Sequence, residues 1–177
     1  KDFATDQEVR WCPGCGDFGI WVALKMALAE LGIGGDDAAA IYGIGCHGNM
    51  YDWMRIYGFS SLHGRTLPVA QGIKLANHKL PVIVISGDGD GLGEGGNHFI
   101  HAAKRNPDIT MILHDNQVYA LTTGQASPTA GKGFKTKSTP EGVVDEPVNP
   151  LTLAITAGAT FVSRGFAGDT KGLSQLI

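Results

Sequence analysis

The sequence predicts an α/β fold, a mostly parallel sheet flanked by helices, and two apolar β-branched runs carry that reading. Leu80-Pro81-Val82-Ile83-Val84-Ile85 is bounded by Pro and Gly and closes in Gly87-Asp88-Gly89-Asp90. Ile109-Thr110-Met111-Ile112-Leu113-His114 closes in Asp115-Asn116. Both read as buried strands. Stretches with apolar residues at helical spacing separate such runs, and strands alternating with helices make a βαβ series.

Taken in order, a short arm precedes a first helix, which Asp17 is placed to cap. Its apolar residues Ile20, Leu24, Leu28 and Leu31 recur at helical spacing, and Gly32 follows its end. Ala38 to Ile44 reads as a short buried strand stopped by Gly45-Cys46-His47-Gly48. Met50 to Arg65 reads as a loop rich in aromatics and Gly. Leu67-Pro68 opens a second helix carrying Val69, Ile73 and Ala76, with Pro tolerated in the first turn. The Gly87 strand is followed by a helix from about Gly95 to Arg105, stopped by Asn106-Pro107. After the Asn116 strand comes a long polar loop, Gly124 to Asn149, of a length that compact domains reserve for lids or partner surfaces. Leu151 to Ala157 reads as a helix, Thr160 to Ser163 as a strand, and Asp169-Thr170 as the N-cap of a last helix.

The chain has 177 residues, enough for a single well-buried domain. We expect residues 1–177 to be that one domain, with an N-terminal Cys-x-x-Cys arm and a C-terminal part missing, because the chain stops inside a helix-like stretch. A net charge of −3 gives no electrostatic grip on nucleic acid or an anionic membrane, so neither is expected as a partner. The apolar runs are too short to span a bilayer, and no signal-peptide pattern opens the chain. Three cysteines, an odd number, argue against a secreted disulfide framework and for a reducing cytoplasm with a metal or redox role.

In a parallel sheet the carboxyl ends of neighbouring strands share one edge, where open α/β folds bind ligands. That edge brings the Asp88 carboxylate beside the Asn116 amide oxygen, with glycines admitting a close backbone approach. Hard oxygen ligands suit Mg²⁺, which completes its octahedron with waters and phosphates. A helix start after the glycines adds N–H donors for those phosphates. Turn chemistry alone also produces Gly-Asp-Gly and Asp-Asn. The spacing resembles the thiamine-diphosphate motif, in which Gly-Asp-Gly is followed some thirty residues later by Asn.

Cys12-Pro13-Gly14-Cys15 lacks the preceding strand that a thioredoxin motif needs. Cys12, Cys15 and Cys46 with a histidine would make a zinc site, whereas an iron–sulfur cluster takes four thiolates as a rule. Spacing leaves both open. Cys46 ends a strand on the edge expected for Asp88 and Asn116, a position that benefits an electron acceptor more than a structural metal. His98 and His101, three apart on a helix, read as a packed or exposed surface, Trp21 and Trp53 as packing or interface residues, and Lys132, Lys135 and Lys137 as a small basic cluster on a solvated loop.

Together Trp11-Cys12-Pro13-Gly14-Cys15-Gly16-Asp17, Gly43-Ile44-Gly45-Cys46, His63-Gly64-Arg65, Gly87-Asp88-Gly89-Asp90 and Asn116 through Gln125 resemble the β subunit of 2-oxoacid:ferredoxin oxidoreductases. The similarity is greatest to the 2-oxoglutarate type and runs from about Val9 to about Gly142. The resemblance implies a thiamine-diphosphate-binding fold, with Asp88 and Asn116 holding Mg²⁺ by side chain and Val118 by its carbonyl. Ile44, Gly45, Cys46, His47, Gly87, Gly89, Asp90, Ala120 and Leu121 would line thiamine diphosphate. His63 and Arg65 would face the diphosphate or the substrate. Cys12, Cys15 and Cys46 would bind a 4Fe–4S cluster, the fourth cysteine coming from beyond this sequence.

The implied reaction is oxidative decarboxylation of 2-oxoglutarate, or another 2-oxoacid, with coenzyme A to acyl-CoA, CO₂ and reduced ferredoxin. Some family members carry Lys where this chain has Thr123, so recognition of a distal carboxylate would pass to another residue. Because the carboxylate that activates thiamine comes from a separate domain in such folds, a partner α subunit is expected, in a heterodimer or dimer of heterodimers. Two alternatives stand beside this reading: a thiamine-dependent 2-oxoacid decarboxylase half without a cluster, and a zinc-stabilised non-catalytic assembly module.

Overall fold

A computed structural model describes residues 3–177. Four parallel strands form the sheet in the order β2-β1-β3-β4. β1 is Ala39–Tyr42, β2 Tyr57–Ser60, β3 Val82–Gly87 and β4 Thr110–His114. Around them lie α1 (Gly16–Glu30), α2 (Thr66–Ala76), α3 (Gly96–Arg105), α4 (Pro150–Ala157) and α5 (Thr170–Leu176). β5 (Val118–Tyr119) and β6 (Gln125–Ala126) make a small antiparallel hairpin.

The central strand β3 is buried along its whole length, as a sheet covered on both faces requires. One face packs Ile83 and Ile85 with Leu24 and Leu28 of α1, Tyr42, Met50 and the indoles of Trp11 and Trp53. The other face packs Val82 and Val84 with Leu67 and Ala70 of α2 and Phe99 and Ala102 of α3. Each such aliphatic side chain contributes about 1.5–3 kcal/mol when fully buried. Alternate residues of β3 therefore feed opposite cores, and the expected packing of Trp53 and Trp21 is found.

The remaining differences from expectation have local causes. Asp17 is not a cap: α1 begins at Gly16, its N-cap Cys15 makes no side-chain cap bond, and Asp17 turns inward. The stretch read as one loop holds a 3₁₀ segment, Cys46–Trp53, and the edge strand β2. All four β2 residues are exposed and the strand contains Gly58, so it lacks the apolar signal of a buried strand. Thr160 to Ser163 form no strand; Val162 packs against the core from an irregular segment instead. The last two helices begin where expected, with Asn149 accepting from the Thr152 amide at 3.1 Å and Asp169 from the Gly172 amide at 2.9 Å. Lys132 of the small basic cluster pairs with Glu146 at 2.7 Å, an exposed ion pair of little energetic weight. Among the described residues no helix is long and apolar enough to cross a membrane.

Candidate functional site

Parallel register brings the site together. Gly87 at the end of β3 lies opposite His114 at the end of β4, so Asp88 and Asp115-Asn116 leave the sheet side by side. β1 ends at Tyr42 on the other side of β3, and the Gly43 amide donates to the Ile85 carbonyl at 2.9 Å, which brings Ile44 to His47 to the same edge. A π-helical turn, Gly89–Glu94, follows Asp88 directly.

Asp88 is 2% exposed, and three donors fall on a single oxygen of its carboxylate. The Ser127 hydroxyl donates to Oδ2 at 2.5 Å, the Thr129 hydroxyl at 2.6 Å and the Gln117 amide at 3.0 Å. Burial pushes the Asp88 carboxyl above its ordinary range, the two hydroxyls pull it down, and the neighbouring Asp115 pushes it up again. Asn116 is exposed at the loop edge, where its Oδ1 accepts from the Val118 amide at 3.1 Å. Tyr119 packs its ring over the π-helical turn. A Cβ at Gly89 would lie 2.5 Å from that ring, and one at Gly93 2.0 Å from the phenol oxygen.

Asp90 sits at the centre of a second cluster and is fully satisfied by protein donors. Its Oδ1 receives His63 Nδ1 at 2.7 Å, the Gly64 amide at 2.8 Å and the Ile44 amide at 3.2 Å, while the Ser86 hydroxyl donates to Oδ2. One buried carboxylate thereby ties the β1 turn, the His63 loop and the end of β3. The His63 ring is oriented through Nδ1 and remains half-exposed. The Arg65 guanidinium reaches the Gly64 and Glu94 carbonyls at 3.4 and 3.3 Å.

His47 is buried beneath this cluster, and its Nε2 accepts from the Gly87 amide at 3.0 Å. Burial, with His114 close by, holds its pKa down to about 4 despite Asp90 and Asp17, so the ring is the neutral Nδ1–H tautomer. Gly43 and Gly87 leave the room this ring needs: a Cβ at Gly87 would lie 2.7 Å from His47 Cε1.

The cysteine arm is held at two points. Trp11 donates from its indole nitrogen to the Cys46 carbonyl at 2.7 Å, and Asp17 accepts from His114 Nδ1 at 2.6 Å. Cys12 and Cys15, between these anchors, lie within electrostatic reach of Cys46. Burial first, and the Asp17 charge after it, raise the Cys15 and Cys46 thiols, although a backbone hydrogen bond at Asp17 pulls Cys15 down. All three cysteines are free thiols, and among the described residues no three His, Cys, Asp or Glu side chains are gathered as a ready-made metal site.

The structure thus brings Asp88, Asn116 and Val118 together at the ends of β3 and β4, with Ile44 to His47 across β3 and the three thiols beyond. Ala120 and Leu121 lie in the turn of the β5–β6 hairpin, exposed. Ser127, Thr129 and the Asp17–His114 pair were not singled out as site residues. Only the fold puts them there, and the one sequence hint was the length of the loop after Gly124.

Residues 43–175 match the family described as thiamine pyrophosphate enzyme, C-terminal TPP binding domain. The chain belongs to that family. Among relatives, it is 49% identical over 177 residues to the 2-oxoglutarate oxidoreductase subunit KorB of Mycobacterium tuberculosis, covering 100% of this chain and 48% of that one. It is 51% identical over 175 residues to a Sulfolobus 2-oxoacid:ferredoxin oxidoreductase subunit beta, covering 98% and 57% respectively. A solved structure, the 2-oxoglutarate:ferredoxin oxidoreductase from Magnetococcus marinus with 2-oxoglutarate, coenzyme A and succinyl-CoA bound, superposes with a TM-score of 0.96 at 43% identity. That alignment covers 98% of this chain and 60% of the other. The chain therefore spans about half the length of the relatives it matches, and the motif resemblance agrees with their names.

Proposed function

We propose that this domain is the thiamine-diphosphate-binding part of a 2-oxoacid:ferredoxin oxidoreductase β subunit. Its reaction would be oxidative decarboxylation of 2-oxoglutarate or another 2-oxoacid with coenzyme A, in the cytoplasm. One observation carries the reading: an oxygen-donor set at the ends of two parallel strands shares its edge with Cys46, which lies within electrostatic reach of Cys12 and Cys15.

The donors suit the groups they would hold. The Asp88 carboxylate, the Asn116 amide oxygen and the Val118 carbonyl are hard oxygens, and Asn116 Oδ1 has a lone pair to spare beyond its bond to the Val118 amide. These would hold Mg²⁺. Ile44, Gly45, Cys46, His47, Gly87, Gly89, Ala120 and Leu121 would line thiamine diphosphate, with Asp90 fixing the lining from behind. When bound, thiamine diphosphate supplies the nucleophilic carbon and the electron sink for decarboxylation.

The chain's own residues bind and orient. Asp90 fixes the His63 tautomer, leaving Nε2 to accept or pass a proton at the half-exposed face. Arg65 keeps a fixed positive charge beside the π-helical turn, suited to a phosphate or carboxylate. Cys12, Cys15 and Cys46 would give three thiolates to a 4Fe–4S cluster, the fourth coming from outside these residues. The metal would also relieve the raised thiols, because thiolates bind metals and thiols do not. An α subunit would supply the carboxylate that activates thiamine, and ferredoxin would take the electrons.

Anaerobic co-purification of the full-length β subunit with its α subunit tests the reading, through iron and zinc analysis, visible absorbance and Mg²⁺-dependent thiamine-diphosphate binding. Iron with an iron–sulfur absorbance and 2-oxoacid-dependent ferredoxin reduction supports it. Zinc without iron points to an assembly module and rejects it, as does decarboxylation without iron.

A further inference from the structure

The long loop after the β5–β6 hairpin returns to the strand ends through Ser127-Pro128-Thr129. The Ser127 amide donates to the Gln117 carbonyl at 3.2 Å and the Val148 amide to the Pro128 carbonyl at 2.8 Å, which seats the segment from both sides. Ser127 and Thr129 are each 5% exposed, and both hydroxyls point at Asp88 Oδ2, where the Gln117 amide also arrives. Three donors on one oxygen leave no room there for a cation. They also fix the carboxylate plane and leave Oδ1 outside the set. The Thr129 hydroxyl lies in addition 2.8 Å from Asp115 Oδ1, and its oxygen is 3.0 Å from that of Ser127. Its single proton cannot serve both carboxylates at once. Two carboxyl groups are thus held a hydroxyl apart at the strand edge.

We propose that Thr129, with Ser127, is a positioning residue of the cation clamp: it engages Asp88 Oδ2 so that Oδ1 alone is presented toward the Asn116 oxygen and the Val118 carbonyl. The proposal rests on the assignment of Asp88, Asn116 and Val118 to Mg²⁺. Groups that orient a ligand are commonly worth about 10–100-fold in metal affinity. The part of Thr129 that matters is its hydroxyl. Val keeps the shape and loses the donor, whereas Ser keeps the donor.

The experiment uses the full-length β subunit in complex with its α subunit. Mg²⁺ is titrated at fixed thiamine diphosphate, and bound cofactor is read by equilibrium dialysis alongside the thermal midpoint without Mg²⁺. Thr129→Val is expected to raise the half-saturating Mg²⁺ concentration on the order of tenfold, and Thr129→Ser to restore it to within about twofold. A merely structural role would lower the thermal midpoint without moving that concentration. If Thr129→Val does not fold, Ser127→Ala carries the same test with the same direction expected. An unchanged Mg²⁺ dependence, or a Ser variant no better than Val, overturns the positioning role alone. Cofactor binding by the unsubstituted complex without any need for Mg²⁺ overturns the clamp assignment as well.

Discussion

Asp17 and His114 stand 97 residues apart in the chain and meet through a 2.6 Å hydrogen bond in the interior. Asp17 lies two residues past Cys15, and His114 two residues before Asn116, so one bond joins the cysteine arm to the end of β4. Burial opposes the Asp17 charge, but the hydrogen bond and charge of His114 outweigh it and hold the carboxyl below its ordinary value.

Asp17→Ala leaves His114 Nδ1 without its partner in a ring whose Nε2 already has none. We expect a loss of about 1–3 kcal/mol, the usual penalty for a buried polar group left unsatisfied, together with weaker retention of metal by the arm. Urea unfolding of the subunit measures the first, and metal analysis of the anaerobic protein the second. Because the folded Asp17 pKa is depressed, its contribution is complete above the unfolded value near 3.8 and is lost as pH falls through the lower folded value.

His47 adds a slope at higher pH. Its folded pKa of about 4 lies below the ordinary value of 6.5, so the unfolded chain binds the proton first as pH falls. Stability should decline between those two values at up to about 1.4 kcal/mol per pH unit and level off below the lower one. His47→Gln, which keeps an acceptor for the Gly87 amide, should flatten that part of the curve. Thermal midpoints measured from pH 7 to pH 4 decide it.

Gly64 adopts a φ of +70°, and an added Cβ would lie 2.4 Å from the Glu94 carbonyl carbon. Backbone is in the way, so no rotamer relieves the clash. Gly64→Ala combines left-handed strain with that clash and should cost about 2 kcal/mol or more. It should also disturb His63, since the Gly64 amide and the His63 ring share one oxygen of Asp90. Unfolding midpoints and the pH profile of the holoenzyme read the two effects.

Asp88→Ala and Asn116→Ala remove oxygens from neighbouring strand ends. Each should weaken Mg²⁺-dependent thiamine-diphosphate binding at least on the order of tenfold, Asp88→Ala the more because its charge is lost as well. Equilibrium dialysis against Mg²⁺ measures both, and binding unchanged in Asp88→Ala would remove that residue from the site.

Much of this was legible in the residues. β3 and β4 were readable because both are continuous apolar runs, and Gly87-Asp88-Gly89 and Asp115-Asn116 mark where they stop; only β3 is buried throughout as expected, since β4 lies at the sheet edge and is partly exposed. The helix cap at Asp169 was readable because capping is a contact between residues three apart; Asn149 caps the preceding helix, α4, in the same way. β2 was not, since Tyr57-Gly58-Phe59-Ser60 lies exposed at the sheet edge and owes its structure to pairing with β1. The strand expected at Thr160 to Ser163 failed for the converse reason: its composition suits a strand, but the segment packs on the core without pairing to one.

The chain's local patterns determined which strands would end in oxygen-bearing side chains and that the ends would share an edge, because periodicity and turn chemistry are properties of neighbouring residues. Tertiary structure decided the rest. It turned Asp17 from a cap into the partner of His114 and made Asp90 the buried hub that orients His63. It also brought Ser127 and Thr129 onto Asp88 from 39 and 41 residues away. Contacts across such separations depend on how strands register and how a long loop closes. Neither leaves a periodic trace in the sequence.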